Sequence, residues 1–81
     1  MDSKKCYVLI CNCYSGDGGV SVFWNKVDAY KAMIEEMEVE IANLQNSGYA
    51  YFSAENDISA ELFASNTDIY FDWNITETTI R

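Results

Sequence analysis

The chain has 81 residues, 49% hydrophobic and 15% aromatic, with 5 Lys or Arg against 13 Asp or Glu and a formal net charge of −8. That size holds one domain with one small core, and the aromatic content sets it apart from disordered acidic sequences, which lack aromatics. The charge repels phosphate, so direct binding to nucleic acid or to an anionic membrane is excluded as a function class.

The start, Met1-Asp2-Ser3-Lys4-Lys5, leads into an apolar run broken by Asn12. That run is too short for a secretory h-region, so a cytoplasmic chain with reduced Cys6, Cys11 and Cys13 is expected. In residues 5–14, Cys6, Val8, Ile10 and Asn12 alternate with Tyr7, Leu9, Cys11 and Cys13. Both sets are largely apolar, which predicts a central strand covered on both faces. Ser15-Gly16-Asp17-Gly18-Gly19 reads as a turn, and Val20-Ser21-Val22-Phe23-Trp24 as the returning strand of a hairpin.

Asn25 is the predicted N-cap, with Asp28 in an approximate capping-box position. Val27, Tyr30, Ile34, Met37, Ile41 and Leu44 then recur at spacings of 3, 4, 3, 4 and 3. This predicts one amphipathic helix of about five turns, closed at Asn46-Ser47-Gly48 with Gly48 as C′ residue. Tyr49-Ala50-Tyr51-Phe52-Ser53 is a short aromatic strand. Residues 58–64 and 68–75 flank Ser65-Asn66-Thr67 as a second hairpin, with Ile69, Phe71, Trp73 and Ile75 on one face and Tyr70, Asp72, Asn74 and Thr76 on the other. The expected fold is a single α+β domain of order β-β-α-β-β-β. It is an antiparallel sheet of four to five strands with one helix packed on a face.

Charge is distributed unevenly along these elements. Residues 32–80 contain ten carboxylates, at Glu35, Glu36, Glu38, Glu40, Glu55, Asp57, Glu61, Asp68, Asp72 and Glu77, and no Lys or Arg. At about 100° per residue, with Glu35 at zero, the apolar stripe spans about 180° to 280°. Glu38 then falls near about −60°, Glu36 near about 100° and Glu40 near about 140°, centring the carboxylates away from the stripe. The four helical glutamates span about 7.5 Å of axis, over which duplex DNA carries roughly four charges. That density fits contact with a basic protein surface as well as it fits a solvated helix face. Glu35, Glu36, Glu38 and Glu40, with Asp68 and Asp72 from the second hairpin, are the candidate partner-binding residues.

Other chemistries lack their parts. A thiolate metal centre wants four ligands, and the chain has no His to join its three cysteines or to activate one as a nucleophile. The glycine-rich turn is followed by a strand rather than the Lys-Ser/Thr and helix of a phosphate loop. Glu55-Asn56-Asp57 supplies too few ligands for calcium. No catalytic activity, cofactor or metal is therefore expected.

Asp28-Ala29 opening a helix, the glutamate-rich stretch from Met33 to Met37, and Tyr70-Phe71-Asp72-Trp73-Asn74-Ile75 together give the chain a recognisable type. It resembles the small acidic proteins of bacterial phages and mobile elements, anti-CRISPR inhibitors among them. The resemblance implies an inhibitor, working in the cytoplasm of a bacterial host, of a nucleic-acid-binding defence protein. It carries no residue assignments. The alternative is a structural or oligomerisation module, a homodimer through Tyr7, Phe23, Tyr51 and Tyr70, with the acids serving solubility.

Overall fold

A computed structural model describes residues 4–16 and 18–80, the side chain of Ile80 excepted. Residues 1–3, Asp17 of the predicted turn, and Arg81 lie outside the described residues. The elements are β1 (Lys4–Cys13), β2 (Gly19–Phe23), α1 (Lys26–Asn46), β3 (Tyr51–Glu55), β4 (Ser59–Ala64) and β5 (Tyr70–Ile80). This is the expected α+β order. All strand pairs are antiparallel, in the spatial order β2-β1-β5-β4-β3.

β5 occupies the centre of the sheet and runs five residues past its predicted end. Its register pairs every residue of β1, from Cys13 opposite Phe71 to Lys4 opposite Ile80. β2 stops at the Tyr7–Phe23 pair, and β4 meets β5 only between Tyr70 and Asn74. The ends of β1 and β5 therefore continue as a two-stranded ribbon, tied by Lys5 Nζ to Glu77 at 3.5 Å and by Tyr7 Oη donating to Glu77 at 3.3 Å. The ribbon lengthens the molecule, whose principal extents are 53 × 21 × 16 Å. Its radius of gyration of 14.2 Å exceeds the ~12 Å of a compact chain this long.

α1 covers one face of the sheet. Beneath it Leu9, Ala60, Leu62, Ala64, Trp73 and Ile75 pack against Ala29, Met33, Met37 and Leu44. The buried line on the helix differs from the predicted stripe. On the same wheel these four helical residues lie at about 120° to 200°, a rotation of roughly 60° towards Glu36 and Glu40. Val27 is 62% exposed, while Tyr30, Ile34 and Ile41 flank the core half-buried. Ala29, with no exposed surface, explains the rotation: a methyl side chain lets the helix approach the sheet where a larger residue would hold it off.

The caps divide between expectation and correction. At the C-terminal end Gly48 has φ of 80°, Tyr49 N–H donates to Leu44 O at 3.0 Å, and Gly48 N–H donates to Gln45 O at 3.1 Å. That pair of bonds is a Schellman motif, which only a residue tolerant of positive φ closes cheaply. At the other end Asn25 is the N-cap residue but makes no side-chain cap; its Nδ2 donates to Asp28 Oδ2 at 3.2 Å instead.

β1 is flanked by strands on both sides but by a helix on one face only. Val8 and Ile10 on its other face are half-buried, so the expectation of two covered faces is corrected. The aromatic set proposed for a homodimer is also split. Tyr7, Phe23 and Tyr51 pack against the core on the helix side, whereas Tyr70 lies on the opposite face, 47% exposed.

Candidate functional site

The six candidate acids fall in four places on the fold. Glu35 and Glu38 stand on the exposed outer side of α1. Glu36 and Glu40 sit on its flank, beside the end of the sheet where Cys11 and Trp73 pair. Asp68 is exposed in the turn between β4 and β5, before the strand that was expected to contain it. Asp72 alternates with buried Trp73 and so points to the face away from the helix.

The flank acids have structural work. Trp73 is 1% exposed, and its indole Nε1–H donates to Glu36 Oε1 at 3.3 Å, linking helix and sheet. Glu40 is half-buried and accepts a bond from Asn43 Nδ2 at 3.3 Å. The two glutamates line a cleft of about 480 Å³ with Cys11, Tyr14, Phe71 and Trp73. Phe71 stacks on Trp73 and meets Tyr14 edge-on, each with ring centroids 5.9 Å apart. Burial pushes the Cys11 thiol up to about 11, helped by the charge of Glu36, then Cys13, Asp72 and Glu40. A thiol so held is protonated and a poor nucleophile at neutral pH. Cys6 is buried, and none of the three cysteines is in a disulfide.

Asp72 has a different setting, which only strand pairing could reveal. It lies directly opposite Glu61 across β4 and β5, and its Oδ1 accepts a bond from Asn12 Nδ2 at 3.2 Å. Like charges opposed across a strand pair destabilise the sheet. The pair lines a shallow depression of about 410 Å³ with Ser59, Asn74 and Ala54. Glu61 carries no signal of its own in the sequence, which does not give the register that sets it beside Asp72.

Counter-ions reach few of these groups. Among the described residues the ion pairs are Lys5–Glu77 and Lys26–Asp57, the latter at 3.2 Å between the start of α1 and the β3–β4 turn. Tyr30 Oη donates to Glu55 at 2.8 Å, which raises the tyrosine pKa, and Gln45 Nε2 donates to Tyr51 Oη at 3.2 Å. The helix is thus fastened to β3 and its turn, while its outer glutamates meet no described cation. In the Glu55-Asn56-Asp57 turn, Asn56 Oδ1 accepts from Ile58 N, Ser59 N and Ser59 Oγ, so it serves the turn itself. Among the described residues no three His, Cys, Asp or Glu side chains converge as metal ligands, and no helix is long and apolar enough to cross a membrane. No protein-family model, curated protein or solved structure matches the chain.

Proposed function

We propose that this chain is a small acidic binding protein that inhibits another protein by occupying its basic, nucleic-acid-binding site. The observation that carries the reading is the outer side of α1, where Glu35 and Glu38 are exposed with no described Lys or Arg in ion-pair reach. Carboxylates so placed meet the Lys and Arg that hold phosphates elsewhere, and competition requires no chemistry. Anti-CRISPR-type inhibition of a bacterial defence protein is one instance.

The test is displacement. Candidate basic effectors are loaded with labelled nucleic acid and titrated with the chain at low and at high salt. Release at low salt that weakens steeply with ionic strength is the expected result. Charge reversal belongs at Glu35 and Glu38, because Glu36→Lys would also remove the acceptor for Trp73. Displacement insensitive to salt, or unchanged in the Glu35→Lys/Glu38→Lys/Asp72→Lys variant, defeats the reading.

The oligomerisation alternative draws on one observation, the apolar side chains left uncovered on the sheet. Val20 and Val22 are 67% and 59% exposed. Light scattering over a concentration series separates the two: a tight dimer favours the module.

A further inference from the structure

A sheet with one solvated face usually carries polar side chains there. Here the face opposite α1 does not follow that pattern. Val8, Ile10, Val20 and Val22 from β1 and β2 form one apolar patch, and Phe52, Phe63 and Tyr70 from β3 to β5 form another. Phe52 and Phe63 lie with ring centroids 5.1 Å apart. Register sets the patches at opposite corners, with Val20 opposite Ile10, Ile10 opposite Asn74, and Phe63 opposite both Tyr70 and Phe52. The row between them holds Asn12, Asp72 and Glu61.

We infer that this open face docks a basic amphipathic segment of a partner protein, with a central Arg or Lys between Asp72 and Glu61 and apolar side chains on the two patches. The inference rests on the proposed function and gives the basic partner a second contact, on the sheet, beside that of α1. Charge selects the occupant. Two copies of a chain of net charge −8 meeting through this face would bring four carboxylates together. A cation between Asp72 and Glu61 instead relieves their mutual repulsion and suits bidentate guanidinium recognition. Size agrees. Strands about 4.8 Å apart and same-face rows about 6.8 Å apart give a face of roughly 19 by 20 Å. That is about half the ~800 Å² one partner buries in a standard interface, and it suits a single helix about 10 Å across.

The experiment uses the isotope-labelled full chain and a synthetic leucine-bearing helix of about 18 residues (~27 Å) with two central arginines. A second peptide has glutamates in place of the arginines. NMR titration is expected to shift amides of β4 and β5 around Asp72 and Phe63, and the glutamate peptide is expected not to bind. Glu61→Gln/Asp72→Asn is expected to weaken binding by at least about tenfold, and Val20→Ser/Phe63→Ser to weaken it as well. The carboxylate variant also keeps or raises the urea midpoint, so its loss of binding is not unfolding. Shifts confined to α1, with loss only in Glu35→Gln/Glu38→Gln, overturn the sheet as the contact and leave the basic-partner reading standing. No binding of the arginine peptide at any salt overturns the inference, while the displacement assay judges that reading separately. Peptide-free shifts of the sheet amides that grow with protein concentration overturn it in favour of a second copy.

Discussion

Glu36→Ala isolates the bond between helix and sheet. Trp73 is 1% exposed, so once Glu36 Oε1 is removed its indole N–H has no other described acceptor and little access to water. An orphaned buried donor costs about 1–3 kcal/mol, and relief of one negative charge returns a few tenths. A net loss of roughly 1–2 kcal/mol is expected, against a total of ~3–5 kcal/mol for a domain this small. With a urea slope near ~1 kcal/mol per molar, the midpoint falls by about 1–2 M. The assay is urea unfolding followed by Trp73 fluorescence in a Trp24→Phe background, because Trp24 is 62% exposed and reports solvent throughout. Glu36→Gln keeps a carbonyl acceptor and is expected within about 0.5 kcal/mol of the parent. Glu35→Ala, on the solvated side, is expected within about ±0.5 kcal/mol. A Glu36→Ala midpoint equal to the parent, or a Glu36→Gln loss as large as that of alanine, refutes the bond as a fastening.

Gly18 and the alkaline range supply two further tests. A Cβ at Gly18 would collide with the Cys11 carbonyl oxygen, which is backbone and cannot swing aside, whereas one at Gly19 meets nothing within 4 Å. Gly18→Ala is expected to lose about 2–3 kcal/mol by urea unfolding and Gly19→Ala less than about 1, and equal losses would count against the packed turn. The Cys11 thiol is pushed from 9.0 up to about 11 by burial and neighbouring carboxylates, so above 9.0 the unfolded chain gives up its proton first. The contribution of Cys11 to stability is therefore flat below that pH and falls as pH rises towards 11, a slope that Cys11→Ala should reduce when urea midpoints are compared near about pH 8 and pH 10. Tyr30, raised first by its bond to Glu55, acts in the same direction above its usual 10.0.

The elements were legible because their signals are local. Alternation marked β5, three- and four-residue spacing marked α1, and Gly48 marked its end. The face that α1 buries was not legible, since Ala29, Met33 and Met37 fit the same periodicity as Val27, Ile34 and Ile41. An apolar arc wider than the contact leaves the choice to the shape of the sheet. Hydrophobicity favours the larger side chains, while packing selects the small Ala29, and Glu36 and Glu40 turn with the helix to the flank. Alternation alone sets Asp72 on the strand face with Tyr70 and Asn74, but its neighbour Glu61 depends on register. Register between strands is a property of the assembled sheet, and no spacing within either strand contains it.

The central place of β5 bears on the order in which the chain assembles. Its partners include β1, at separations from Cys13–Phe71 to Lys4–Ile80. During synthesis from the N-terminus, the β1–β2 hairpin, α1 and the β3–β4 hairpin all emerge before the strand that joins them. Each half then shows an open edge with nothing alongside it. Contacts between residues so far apart in sequence slow folding, and an unfilled strand position is a site for pairing with the wrong chain. Eight carboxylates on residues 32–68, from Glu35 to Asp68 with no Lys or Arg among them, would hold such half-built chains apart.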